Sequence, residues 1–237
     1  MSVKGPDGRI VLELSAAAGT LTYQVMAEGQ PVLRPSPLGI KADDVELSDQ
    51  VTFGSPALHP VNEQYRFFGA HATASNCANE ATVPAQPHGQ AYSVDLHVAN
   101  DGVGVRLRLP AKTGRKVEAD RSAWALPGDP VMWADVLNAS YESPYHTSSL
   151  HQLAAVPLGL PVIAHLASGL HVTLTEGAVH DYGDLAVQPA SGNILQGQLY
   201  ADLQGWTTDS PVVQPWRDRC RGPALRPPMV YCHHQRR

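Results

Sequence analysis

The chain has 237 residues, 43% of them hydrophobic and 16% charged, which is enough apolar material for one sizeable core. A formal charge of -5 argues against a nucleic-acid-binding surface, and no apolar run approaches the length of a membrane-spanning helix. Three cysteines, Cys77, Cys220 and Cys232, are too few and too odd in number for a disulfide framework.

Twenty Gly and twenty Pro among short apolar runs indicate many turns, hence β structure. Gly5-Pro6-Asp7-Gly8 is a turn signal, and Arg9 to Leu14 follows as the opening strand. Leu21, Tyr23 and Val25 alternate with Thr20, Thr22 and Gln24. Glu28-Gly29-Gln30 then turns the chain into Pro31-Val32-Leu33, giving an antiparallel meander with one wet face. Asp43, Asp44 and Glu46 read as solvated charges on a loop. Residues 54–90 show no periodicity and are rich in Pro, Ala, Asn, Gly and His, so they read as a long irregular loop. Tyr65-Arg66-Phe67-Phe68 is their aromatic cluster.

Ala91 to Leu109 is the clearest hairpin. Tyr92, Val94, Leu96 and Val98 alternate with polar residues up to the turn Asn100-Asp101-Gly102. Val103, Val105, Leu107 and Leu109 continue the pattern on the return. Arg106 and Arg108 fall on the outward or ligand-facing side. Glu118 to Leu126 reads as one further strand. Trp133 and the run Tyr141 to His146, which includes Glu142 and Tyr145, make an aromatic-acidic loop. Aromatic faces beside carboxylates suit sugar rings, whose C–H faces stack while hydroxyls bond to acids. Simple packing of these aromatics under loops is the competing reading.

Leu158 to Leu166 is a buried strand. Leu170, Val172 and Leu174 then alternate with His171, Thr173 and Thr175 and run into Glu176. A polar turn with His180, Asp181, Tyr182 and Asp184 follows. No other window places so many carboxylates and imidazoles at the end of one element. The expected fold is all-β: two large facing antiparallel sheets of roughly twelve to sixteen strands, with few or no helices.

No phosphate loop, G-x-S-x-G elbow, H-E-x-x-H helix or paired CxxC is present. Cys220 and Cys232-His233-His234 fit no zinc spacing. No catalytic residue is therefore assigned. Residues 217–237 hold six Arg and one Asp, a local net of +5 that leaves -10 on the first 216 residues. This basic end reads as unstructured.

Several short pieces, in order, carry a family resemblance: Pro6-Asp7-Gly8, Pro31-Val32-Leu33 with Ser36-Pro37-Leu38-Gly39, Asn100 to Gly104 with Arg106, Tyr141-Glu142, Thr175-Glu176, Asp181-Tyr182-Gly183 and Pro215-Trp216-Arg217. Together they resemble the N-terminal domain of glycoside hydrolase family 97, the α-glucosidases and α-galactosidases. The resemblance implies a β-super-sandwich over residues 1–217 that precedes a (β/α)₈ barrel holding the catalytic carboxylates. It implies that residues 218–237 are an atypical tail, disordered or arising from truncation or a shifted reading frame. It implies a calcium ion near the sugar site, with Glu176 as this domain's ligand and glutamates of the barrel completing the shell. Without the barrel the chain is expected to be inactive and to bind calcium weakly or not at all. Expected partners are an α-linked oligosaccharide or glycoside and the barrel, with no nucleic acid and no membrane. Substrate-facing candidates are Trp133, Tyr141, Glu142 and Arg106. The family is generally exported, to the periplasm or beyond. Met1 to Arg9 has no apolar signal core, so as it stands the chain reads as cytoplasmic. Two other readings stay open: a standalone sugar-binding module using Trp133, Tyr141, Tyr145 and Arg106, and a mutarotase-like epimerase pairing His171 or His180 with Glu176.

Overall fold

A computed structural model describes residues 1–66, 68, 72–138, 140, 142–177, 179, 182–199, 206–215 and the backbone of 230–233. The first half of the chain gives Ser2–Lys4 (β1), Ile10–Ser15 (β2), Thr22–Ala27 (β3), Gln30–Pro37 (β4), Ile40–Ala42 (β5), Val45–Glu46 (β6) and Thr52–Phe53 (β7). The long pair Ala57–Arg66 (β8) and Thr73–Gln86 (β9) follows, then Tyr92–Ala99 (β10), Gly102–Leu109 (β11) and Arg115–Asp120 (β12). The second half gives Ala123–Ala125 (β13), Val131–Ala134 (β14), His146–Ser149 (β15), Val162–His165 (β16), His171–Leu174 (β17), Leu185–Ala190 (β18) and Ile194–Leu199 (β19). Trp206–Thr208 (β20), Val212–Val213 (β21) and Val230–His233 (β22) end the series. Helical structure among the described residues is confined to two three-residue 3₁₀ turns, Ala17–Gly19 and Leu150–Gln152.

The all-β sandwich holds, with two large antiparallel sheets. One has seven strands in the order β1-β2-β3-β4-β13-β19-β18. The other has eleven, β15-β14-β16-β17-β22-β11-β10-β9-β7, with β8 on β9 and β21 on β11. A third, four-stranded sheet, β20-β12-β5-β6, was not expected. The strand total also exceeds the expectation, because pieces such as β6, β7 and β21 are two residues long and too short to show alternation. Of residues 218–237, β22 is described; its backbone pairs with β11 and β17.

Period-two alternation builds the core. Ile10, Leu12 and Leu14 of β2, Val94, Leu96 and Val98 of β10, and Val103, Val105, Leu107 and Leu109 of β11 are buried. Each such side chain removed from water contributes about 1.5–3 kcal/mol. The hairpin over Asn100-Asp101-Gly102 has the expected register, Val98 opposite Val103 and Asp95 opposite Arg106.

Two expectations are corrected. Residues 54–90 are no irregular loop: β8 and β9 form a ten-residue antiparallel ladder from Ala57–Thr82 to Arg66–Thr73. Nearly all of β8 is exposed on both faces, so no apolar alternation marks it. Glu118 to Leu126 is two strands in different sheets. The Asp120 carboxylate accepts the Ser122 N–H at 2.9 Å, and the chain leaves the small sheet there to enter the seven-stranded one. On β19, Gly197 donates its N–H to Ser122 O; a Cβ at Gly197 would lie 2.8 Å from that oxygen, so only glycine permits the approach.

The small sheet is tied down by two carboxylates. Asp43 accepts the Lys116 N–H at 2.9 Å and the Lys112 ammonium at 2.7 Å; Glu118 accepts the Asp44 N–H at 2.8 Å. Burial alone would push the Asp43 carboxyl up, but the Lys112 and Lys116 hydrogen bonds and the Arg115 charge outweigh it and hold it low. The Asp44 N–H, with Lys41 and Lys116, holds Glu118 low. A depressed folded-state value means stabilisation that is complete above the unfolded range of about 4 and lost as pH falls through the lower folded value. Hydrogen exchange at Asp44 and Lys116, corrected for intrinsic rates, is therefore expected to quicken below about pH 4, ahead of exchange in β10 and β11.

Candidate functional site

β17 is held by alternation: Val172 and Leu174 face the core while His171 and Thr173 face outward, half-buried. Glu176 lies just beyond its end. There the two large sheets meet. Leu158 exchanges backbone hydrogen bonds with Val187 of β18 at 2.7 and 3.1 Å and also bridges to Val136, just past β14. A recess of about 170 Å³ opens at this junction, with Thr175, Glu176 and Asp184 set against Leu137, Leu160 and Leu185. The Leu185 N–H donates to Glu176 Oε1 at 3.2 Å and aims the carboxylate. Two larger hollows, of about 340 Å³ beside Val131 and His165 and about 280 Å³ beside His59 and Glu80, lie elsewhere on the surface.

The turn after Glu176 is anchored from below. Tyr182 is buried and donates its hydroxyl to Asp120 Oδ2 at 2.9 Å. The Gln214 side-chain amide donates to the same oxygen at 3.0 Å. Gln214 is itself fixed by Leu107, whose N–H donates to the Gln214 side-chain Oε1 and whose backbone oxygen accepts the Gln214 N–H, both at 2.9 Å. Trp206 packs edge-on against the Tyr182 ring, with centroids 4.9 Å apart. Asp120 and Gln214 escape sequence reasoning because they are isolated polar residues whose partners lie 62 and 94 positions away in the chain.

The recess lining supplies carboxylate and hydroxyl oxygens and no nitrogen or sulfur side chain, a donor set suited to a hard cation such as calcium. Among the described residues no group of three or more His, Cys, Asp or Glu is placed to hold a metal. A full shell would need ligands beyond the described residues.

The described substrate-facing candidates sit on different elements. Trp133 sits half-buried on the outer face of β14, braced by His165 and His171 with ring centroids 6.4 and 6.1 Å away. Those two histidines stack face to face at 4.4 Å. Glu142 is exposed, and its N–H donates to Ser140 Oγ at 3.3 Å. Tyr141 and His180 lie outside the described residues. Arg106 is on β11, four strands from β14 in the sheet order, or about 19 Å at the usual strand spacing. Its guanidinium is directed to Asp95 Oδ2 at 2.9 Å. His171 lies on β17, and Glu176 follows beyond its end, five residues on.

The comparisons with known proteins agree with this architecture. The family profile described as glycosyl-hydrolase 97 N-terminal matches residues 3–220. A probable retaining alpha-galactosidase of Streptomyces bingchenggensis is 28% identical over 221 residues, covering 90% of this chain and 33% of that protein. The retaining alpha-galactosidase of Bacteroides thetaiotaomicron is 21% identical, covering 84% and 32%. A glycoside hydrolase family 97 enzyme from Pseudoalteromonas sp. strain K8, solved with acarbose, superposes with a TM-score of 0.82 at 23% identity, over 92% of this chain and 35% of that one. A beta-arabinopyranosidase superposes at 0.83 with 18% identity. The chain thus spans about a third of the length of these relatives. By its sequence over residues 3–220 and by the sandwich those residues build, the chain belongs to the glycosyl-hydrolase 97 N-terminal family.

Proposed function

We propose that this domain is the non-catalytic, carbohydrate-facing part of an exo-acting α-glycosidase: it packs on a (β/α)₈ barrel, forms one wall of the sugar pocket and lends Glu176 to a calcium ion that the barrel completes. The observation carrying this reading is the placement of Glu176. It stands at the rim of an oxygen-lined recess where the two sheets join, with its carboxylate oriented by Leu185 N–H. The relatives named alpha-galactosidases favour an α-galactoside as substrate. Bound calcium would supply a fixed positive charge beside the sugar. Glu176 would hold it from this side, and Asp184 would add negative field to the same rim.

The test is calcium titration and hydrolysis. The isolated chain should show no micromolar calcium binding by calorimetry. Joined to the barrel and C-terminal domain of the Streptomyces relative, it should support calcium-dependent hydrolysis of an aryl α-galactoside. Glu176→Gln should lower the apparent calcium affinity of that chimera about tenfold or more, as expected for a lost metal-ligating carboxylate. Micromolar binding by the isolated chain, or an unchanged calcium response in Glu176→Gln, would overturn the reading.

A further inference from the structure

β17 carries a second group of ligand-type residues at its other end. His171 is its first residue, whereas Glu176 lies past its last. The ladder of β16 and β17 sets His165 directly opposite His171. The ladder of β17 and β22 sets His233 opposite His171 on the other side. Residues directly opposite each other in antiparallel strands share a face of the sheet, with Cβ atoms about 4.5–5.5 Å apart. Register therefore lines up three histidines across three neighbouring strands. Cys232-His233-His234 fits no zinc spacing along the chain, but sheet pairing, not chain spacing, brings His233 to this row.

The side chains described in this row are close to a chelating arrangement. The His165 and His171 rings stack with centroids 4.4 Å apart and planes 3° from parallel. Two imidazole nitrogens held at about 2.0–2.1 Å by a tetrahedral ion are about 3.3 Å from each other, so the ligating edges of the rings close by roughly 1 Å. A small turn of each ring achieves that. β14 to β17 contain no Lys or Arg to repel a cation. His165 also lines the hollow of about 340 Å³ together with Asp129. That opening gives an ion a way in and leaves room for water on its open side, while the Asp129 carboxylate adds negative field. Among the described side chains no group of three ligands is gathered. The backbone of β22 puts His233 at the third position of the row.

We infer that His165, His171 and His233, juxtaposed on three adjacent strands, form a binding site for a divalent transition-metal ion such as zinc, nickel or copper. These ions take imidazole nitrogen readily, whereas the oxygen-lined recess at Glu176 suits a hard cation. The bound ion staples β22 to β17 and so fastens the strand whose backbone joins β17 to β11 in the eleven-stranded sheet. This site stands apart from the calcium reading, and neither result decides the other.

The test uses the full chain with each metal ion alone. Zinc followed by calorimetry should bind one to one with a micromolar Kd and raise the unfolding temperature. His165→Ala, His171→Ala and His233→Ala should each weaken zinc binding about tenfold or more. His151→Ala, outside the row, should bind as wild type does. Copper should quench the fluorescence of Trp133, whose ring centroid is 6.4 Å from His165 and 6.1 Å from His171. Trp133→Phe should remove that quenching while zinc still binds. Zinc should also slow hydrogen exchange of the β22 amides. Where His171→Ala lowers the unfolding temperature without metal, His165→Ala on the neighbouring strand decides the matter. Absence of zinc binding by wild type would overturn the site. So would equal binding by wild type and the His165→Ala/His171→Ala double variant, which would put the metal on the His233-His234 end alone.

Discussion

Asp120→Ala is expected to lower the unfolding free energy by about 3–5 kcal/mol, the cost of stranding several buried donors at once. The Tyr182 hydroxyl, the Gln214 amide and the Ser122 N–H all lose their acceptor. For a chain of this size the unfolding temperature should fall by roughly 10 °C or more. Tyr182→Phe removes one of the three bonds and should cost about 1–2 kcal/mol. The two changes should be strongly non-additive in a double-mutant cycle, because they share one oxygen of Asp120. Their local signature is faster hydrogen exchange at Leu185, whose N–H orients Glu176, since Tyr182 tethers the turn between them. Additivity, or an undisturbed Leu185 amide, would show that the turn is held by other contacts.

Asp95→Ala should cost about 2–4 kcal/mol and reveals what Arg106 does. Asp95 is buried and receives Arg106 at 2.9 Å, Arg108 at 2.8 Å and the Thr82 hydroxyl at 3.2 Å, all on neighbouring strands. Arg108 is 44% exposed on its side chain, so solvent screens its share and most of the loss belongs to Arg106. A cycle between Asp95→Ala and Arg106→Ala, followed by urea denaturation, should give a coupling of about 1–3 kcal/mol. Sugar binding by the Arg106→Ala chain, measured where enough protein stays folded, should match wild type. A loss of binding without loss of stability would return Arg106 to the ligand-facing role expected from its alternation on β11.

These two clusters show where sequence reasoning stops. Arg106 alternates outward as its strand pattern requires, and alternation places a side chain on a face without naming its partner. Asp95 is directly across from Arg106 in the hairpin register, so that pair was within reach of a register argument. Asp120 was not. It ends one strand, turns the chain between sheets and collects donors from segments 62 and 94 residues downstream.

The sequence by itself determined the all-β class, the meander of β2 to β4, the hairpin of β10 and β11, the strand leading to Glu176 and the family. Each is either a local periodicity of two with a turn signal at its end, or an ordered set of short motifs. Burying one face of a strand forces the first, and short motifs at turns and strand ends carry the second. Only the tertiary structure decided the third sheet, the exposed ladder of β8 and β9, the split between β12 and β13, and the gathering of Thr175, Glu176 and Asp184 against Leu137 and Leu160. Those features depend on non-local hydrogen bonds and on strands with no buried face, and neither leaves a period in the chain. The buried carboxylate of Asp135 is a further case: its Oδ1 lacks a donor because the Tyr145 hydroxyl turns to Pro161 and the Gly159 N–H goes to the Asp135 backbone oxygen.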